Sequence, residues 1–319
     1  MREPLNNSPS GKVLTVAITG GTGFIGKAVI SRLLQDKLSV RALVRPASLS
    51  SSFYAQGLTW ICGELGNEET LCQLLAGADI VIYCAGSVRG ASEDDFIAAN
   101  ITGVKQVVAA AQKSNDPKRF LLISSLAAKS PELSPYAASK RQGEDFLRLY
   151  GDGINWTIIR PPVVYGPGDK ELLPLFTWMR RGFLFVPGGG NGRFSLIFIK
   201  DLAEAVLAWL MNADASGACF ELHDGKTGGY CWEEVREIAA DLYQRPVHRI
   251  DIPKKILETV ARLNTIAANL AGYQPMLTPG KVKELTHSDW VCDNTIISSA
   301  TKWHPEFDLR RGLQITTLC

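Results

Sequence analysis

Tyr136 and Lys140 stand four positions apart, and Ser125 precedes the tyrosine by eleven. On an α-helix, residues i and i+4 share a face. A free phenol titrates near 10 and is a poor base at neutral pH. A neighbouring ammonium favours the phenolate and would lower that value. A serine hydroxyl at the same point could hydrogen-bond a reacting carbonyl or hydroxyl oxygen. Ser125, Tyr136 and Lys140 therefore read as a set for moving a proton to or from a substrate oxygen. The same spacing arises on any exposed helix, so its meaning rests on what positions it.

A second group lies upstream. Residues 19–26 read TGGTGFIG, with Gly20, Gly23 and Gly26 at intervals of three. Gly20 would let the chain turn sharply, Gly23 would let backbone approach a pyrophosphate, and Gly26 would let a helix pack close to the sheet. An apolar run precedes this turn and a helical pattern follows it, which is the context in which a helix N-terminus receives phosphates. The expected ligand is a dinucleotide. An acid at the end of the second strand would hold the ribose 2′-hydroxyl of NAD. Residues 40–46 (VRALVRP) contain none. Arg45, with Arg41 behind it, could instead pair with the 2′-phosphate of NADP. The expectation is NADP, with NAD as the alternative and two solvated surface arginines as the competing reading.

The elements that must carry these residues follow from periodicity. Strands are expected at 13–19, 39–44, 59–62, 79–84, 119–123 and 155–160, and helices at 24–34, 68–75, 94–113 and 135–150. The strands are apolar nearly throughout rather than alternating, as a parallel sheet covered on both faces requires. With right-handed crossovers this is an α/β, Rossmann-type doubly wound sheet. Ser125 then lies at the carboxyl edge, where ligands bind in such sheets. Beyond residue 160 prolines and the 188–192 loop (GGGNG) break the regularity, and 201–211 is again helical. The expected organisation is a dinucleotide-binding domain over 13–165, with 194–220 returning to it. A smaller, partly interleaved substrate domain is expected over 166–193 and 221–319.

Composition excludes several classes. A net charge of +2 without a basic run offers no bulk attraction to nucleic acid. The seven cysteines form no CxxC pair, which argues against a disulfide framework and for a reducing compartment. The four histidines show no ligand spacing, so no metal is expected. Residues 1–12 are polar and read as a disordered leader rather than a signal peptide. No apolar stretch is long enough to span a bilayer, and a cytoplasmic protein is expected.

On these residues the chain resembles an extended or atypical short-chain dehydrogenase/reductase of the NAD-dependent epimerase/dehydratase type. The matching landmarks are TGGTGFIG at 19–26, CAG at 84–86, Asn100, ISS at 123–125, YAASK at 136–140, RPPVVYGPGD at 160–169 and FIKDLAEAV at 198–206. They cover about two thirds of the chain in the family's order, and 277–317 resembles its C-terminal segment. The resemblance implies an enzyme that passes a hydride between a nicotinamide and a hydroxyl or ketone carbon. Tyr136 would be the acid/base, Lys140 its partner and Ser125 the polarising hydroxyl. The cofactor would meet Gly20, Thr22, Gly23, Phe24, Ile25, Gly26 and Asn100. Glu64 and Leu65 would flank the adenine, and Ala85 and Gly86 would line the cofactor's path. Ser124 would touch the cofactor through its backbone, and Pro161, Pro162 and Val163 would sit near the nicotinamide. A homodimer formed by the helices around 94–113 and 135–150 is a further implication.

The chain departs from nucleotide-sugar epimerases in ways that leave alternatives open. The gap between Ser125 and Tyr136 is short, and Ser124 could be the active hydroxyl instead. Val163 and Phe198 replace polar residues, which favours an apolar alcohol or ketone over a nucleotide sugar. Arg193 could still meet a diphosphate, or could pair with a surface acid. The short gap is also similar to that of non-catalytic members associated with respiratory complex I, so a cofactor-binding structural or assembly protein is an alternative, as is a nucleotide-sugar epimerase or dehydratase. Residues 256–270 (ILETVARLNTIAANL) form an apolar-rich helix with two charges. It is expected in the core or at a dimer contact, with a membrane-surface role as the alternative.

Overall fold

A computed structural model describes residues 13–113, 119–212 and 215–318; the leader expected over 1–12 lies outside the described residues. Strands β1 (Thr15–Thr19), β2 (Ser39–Val44), β3 (Leu58–Cys62), β4 (Ile80–Tyr83), β5 (Arg119–Ile123) and β6 (Asn155–Arg160) alternate with helices. The first helices are α1 (Phe24–Gln35), α2 (Glu68–Leu75), α3 (Asp94–Ile97), α4 (Gly103–Gln112) and α5 (Pro135–Tyr150). The last residues of β1 and all of β4 are buried, because helices cover both faces.

The sheet is seven-stranded and parallel, with β2 and β3 on one side of β1 and β4, β5 and β6 on the other. Strand order therefore reverses at β1, and a crevice opens between the ends of β1 and β4. Thr19 spans that point: its buried Oγ1 accepts the N–H groups of Cys84 and Ala85, both at 3.2 Å. The doubly wound fold expected from the apolar runs is the fold observed. The helix expected over 94–113 is not regular: α3 and α4 are joined by a π-turn at Ala98–Thr102 that carries Asn100.

Three short parallel pairs follow outside the main sheet. β7 (Val163–Tyr165) pairs with β10 (Leu196–Phe198), β8 (Phe183–Pro187) with β12 (His248–Ile252), and β9 (Arg193–Phe194) with β13 (Asp289–Trp290). In the stretch expected to return to the dinucleotide-binding domain, β11 (Ala218–Glu221) pairs with β6 at the sheet edge, and Arg119 of β5 donates to the carbonyls of Leu210 at 2.6 Å and Trp209 at 2.7 Å. The helices of this part are α6 (Leu173–Arg180), α7 (Ile199–Met211), α8 (Trp232–Leu242), α9 (Lys254–Ala271), α10 (Pro279–Leu285), α11 (Thr295–Thr301) and α12 (Leu309–Leu318). Helix α7 buries Leu202, Val206 and Trp209 in one cluster with Val29 and Leu33 of α1. A second cluster gathers Tyr165, Met179, Leu184, Phe198 and Leu313. Full burial of such a side chain contributes about 1.5–3 kcal/mol.

Candidate active site

The glycine turn closes on itself. Gly20 adopts φ +69°, and a Cβ there would lie 2.6 Å from the Cys84 carbonyl and the Ala85 nitrogen, so no other residue fits. A Cβ on Gly26 would lie 2.2 Å from the Gly20 carbonyl. Gly26 thus packs the helix start against the turn, not against the sheet as its position had suggested. A Cβ on Gly23 would meet only the Gly20 carbonyl, at 3.3 Å, which leaves open space before it. Gly23 is also the N-cap of α1, which has no side-chain cap and no acid in its first turn. The amide groups and positive dipole end of α1 therefore face a cavity of about 1600 Å3. This cradle fits an anionic pyrophosphate.

Gly20, Thr22, Gly23, Phe24, Ile25, Gly26, Gly86, Ser124, Ser125, Tyr136, Lys140, Pro161, Pro162 and Val163 all line that one cavity. Tyr136 lies in the first turn of α5, behind Pro135 and an N-cap, Ser134, whose hydroxyl accepts the Ala137 N–H at 3.0 Å. Ser125 follows β5, and its Oγ accepts the Ala127 N–H at 3.2 Å. Ser125 and Tyr136 stand side by side on the cavity wall, and the serine hydroxyl favours the phenolate. Burial pushes the Tyr136 phenol up to about 12; Ser125 opposes this and the charge of Glu284 adds to it. Lys140 is buried and is held down to about 8, chiefly by desolvation. Its Nζ donates to the Ile123 carbonyl at 3.4 Å. A Cβ on Gly86 would lie 2.9 Å from it.

The expected lowering of the tyrosine by the lysine is therefore not what the protein alone provides. Desolvation dominates, and the phenol of Tyr136 stays protonated across the neutral range. The depressed lysine also carries a stability consequence. The unfolded chain releases this proton near 10.4 and the native chain near 8. Between those values the unfolded state holds more protons, so this group makes stability rise with pH. Lys140→Met is expected to stabilise the protein more at pH 7.5 than at pH 10, read as the difference in urea midpoint between variant and wild type. An equal difference at both pH values would refute the assignment.

Several supporting contacts were not anticipated. Ser124, one residue from Ser125, turns its hydroxyl away from the tyrosine and donates to Glu144 Oε1 at 2.6 Å. Glu144 is fully buried and takes two bonds from Arg160, at 2.9 and 2.6 Å, and an ion pair from Arg148 at 3.0 Å. It lies four residues after Lys140 on the same helix face, a signal the sequence did carry. Asn100 sits behind the wall rather than on it. Its side chain clamps Ser87 through both backbone groups at 3.1 Å and donates to Ser139 Oγ at 2.9 Å. Glu284, brought in by α10, accepts from the N-cap Ser134 and from Lys281 at 2.8 Å. Lys281 Nζ lies 5.9 Å from the Tyr136 ring centre. No local pattern links residues 150 positions apart, and only packing joins them.

The remaining candidates lie as follows. Arg41 donates to the Gln73 carbonyl and is not directed to a cofactor. Arg45 is exposed after the end of β2, and Glu64 and Leu65 follow the end of β3. These three and Ala85 lie off the cavity wall, and Leu65 packs into the apolar cluster around α4. Arg193 is consumed by the Gly228 and Gly229 carbonyls, at 2.6 and 2.7 Å, and by Glu234 at 3.1 Å. Phe198 is in the core, stacked 4.8 Å from Phe307, and does not shape the cavity. Of the aromatic residues between 176 and 209, Phe176 and Phe194 line it.

Comparison with known proteins places this geometry. The model of the NAD dependent epimerase/dehydratase family matches residues 16–221. A ceramide reductase of Caulobacter vibrioides is 34% identical over 275 residues, covering 86% of this chain and 85% of that one. The 4-hydroxy-2-methyl-3-oxo-4-farnesyl-3,4-dihydroquinoline-1-oxide ketoreductase of Stigmatella aurantiaca is 32% identical, over 65% of this chain and 67% of that one. Among solved structures, the UDP-glucuronic acid 4-epimerase of Bacillus cereus in complex with UDP-glucuronic acid and NAD shares the fold. Its TM-score is 0.72 at 18% identity, over 95% of this chain and 98% of that one.

Proposed function

This chain is an enzyme of the NAD dependent epimerase/dehydratase family, and from that membership we propose that it reduces the carbonyl group of an apolar, long-chain ketone with NADPH. The observation that carries the reading is the Ser125–Tyr136 pair on the cavity wall, with the phenol protonated through neutral pH. A bound nicotinamide dinucleotide supplies the hydride. Tyr136 gives its proton to the carbonyl oxygen as that oxygen becomes a hydroxyl. Ser125, whose Oγ already accepts the Ala127 N–H, hydrogen-bonds the same oxygen. Lys140 keeps positive charge at this wall below about pH 8. Ser124 is committed to Glu144, which favours Ser125 as the active hydroxyl.

The substrate class is read from the wall. Val88, Leu126, Val163, Met276, Leu277 and Leu285 supply apolar surface. Arg193, which could have met a diphosphate, is engaged elsewhere. The two curated relatives act, by their names, on a ceramide and on a farnesylated ketone, and both support a lipid-like substrate. The division into a dinucleotide-binding part and a substrate-binding part over 166–193 and 221–319 belongs to the same proposal.

The preference for NADPH rests on Arg45, which is exposed after β2 and pairs with no described residue, with no acid nearby in that loop. NADPH is expected to raise the melting temperature more than NADH at equal concentration. Arg45→Ala should weaken NADPH binding about tenfold and leave NADH unchanged. Tighter binding of NADH by the wild type would overturn the cofactor choice. Loss of absorbance at 340 nm with a long-chain 3-ketone in detergent micelles, and none with a UDP-sugar, is the expected outcome for the substrate. Conversion of the UDP-sugar to its epimer, read by chromatography because epimerisation consumes no NADPH, would instead establish the epimerase reading.

A further inference from the structure

Helix α9 is the least covered element near the site. Only Leu257, Ala261 and Ala268 of its residues are buried, and Leu257 and Ala261 form a small cluster with Val282 of α10. Ile256, Val260, Leu263, Ile266 and Leu270 lie on the opposite side and are exposed, Leu263 at 63% and Leu270 at 85%. Positions 256, 260, 263 and 270 recur at i, i+4, i+7 and i+14, a single stripe along a helix about 27 Å long. The expectation of a core helix is therefore not met within the chain. Large aliphatic residues gathered on one exposed face mark a surface that meets something apolar.

The flanks identify the occupant. Lys254, Lys255 and Arg262 are exposed against a single acid, Glu258, and none of the three pairs with a described residue. An aliphatic stripe with unpaired cations beside it has the chemistry of a helix lying in the headgroup plane of an anionic bilayer. Tyr273, just past the helix end, is 44% exposed, as an interfacial aromatic would be. Pairing with a second copy through the same face would bring the basic flank against itself, with Glu258 the sole compensating charge on the helix. The helix also touches the cavity: Asn264 donates to the Leu277 carbonyl at 2.9 Å, and Leu277 and Met276 line it. We propose that α9 docks this protein onto an anionic lipid surface, setting the Met276–Leu277 rim of its cavity against the bilayer. The proposal does not depend on the reaction or the cofactor.

The test is co-sedimentation of the full chain with extruded vesicles of phosphatidylcholine alone or with 30% phosphatidylglycerol, a composition on the order of natural anionic surfaces. Expected is strong binding to the anionic vesicles, weaker binding to the neutral ones, and weakening by salt. Leu263→Glu with Ile266→Glu should lower the vesicle partition coefficient about tenfold or more. Lys255→Glu with Arg262→Glu should abolish the preference for anionic vesicles while circular dichroism melting stays as in the wild type. Absence of binding to either vesicle would overturn the proposal, as would binding that the Leu263/Ile266 variant leaves intact. So would a sedimentation-velocity dimer that this variant converts to monomer, which would assign the face to a second copy.

Discussion

Tyr136→Phe is expected to lower turnover about 10^3-fold while leaving the dinucleotide-dependent rise in melting temperature intact, within the 10^2–10^4 range of a single general acid. The substitution removes one oxygen, which is kept protonated by burial. The ring itself stays in place, 6.0 Å from Phe96 and under Lys281. Packing and cofactor binding are thus preserved while the donated proton is lost. In kinetic terms kcat and kcat/KM should fall together, because the lost interaction forms only as charge develops on the substrate oxygen. Ser125→Ala provides the control: turnover should fall less, since the proton donor remains. Unchanged turnover in Tyr136→Phe would remove the tyrosine from the mechanism and leave the fold and the cofactor cradle untouched.

Glu144→Ala is expected to produce the largest loss of stability, about 3–5 kcal/mol, because it strips the hydrogen-bonded partner from a nearly buried arginine and leaves it only the Glu221 carboxylate at 3.9 Å. Arg160 retains 12% of its side-chain exposure and Glu144 none, and two hydrogen bonds join them. Without the carboxylate, the guanidinium keeps its desolvation cost and loses both hydrogen bonds that offset it, and Ser124 loses its acceptor. The melting temperature should fall on the order of 10 °C. Glu144→Gln keeps the shape and an acceptor oxygen for Ser124, so it should cost less than half as much. A melting temperature within 2 °C of wild type for the alanine variant, a shift on the order of 1 kcal/mol or less, would show that the buried pair contributes little. The pair fixes the face of α5 that carries Lys140, and its loss should also broaden the temperature range over which activity disappears.

Much of this was legible in the chain because the relevant physics is local. A strand covered on both faces must be apolar throughout, so β1, β4 and β5 announce themselves in four or five residues, and their alternation with helices leaves one sheet topology. The glycine turn is equally local: Gly20 and Gly26 are dictated by atoms within the turn itself and at the adjoining strand end. The i, i+4 spacing placed Tyr136 and Lys140 on one helix face, and the cavity does receive both.

What local pattern could not supply was direction and partnership. Ser124 and Ser125 are neighbours of identical type, yet one faces Glu144 and the other Tyr136, because successive side chains of extended chain point to opposite sides. Arg193 and Arg41 are spent on backbone carbonyls whose positions follow from distant turns and helix ends. The sign of the tyrosine shift depended on desolvation of the hydroxyl, a property of how the walls pack around it and not of the lysine four residues away. The Glu284–Ser134 contact and the bare face of α9 follow from how the last third of the chain packs on the first. Residue type and spacing settle which element forms and which face is apolar; only tertiary packing settles which of those faces finds a cover, which polar group finds a partner, and which is left to meet something else.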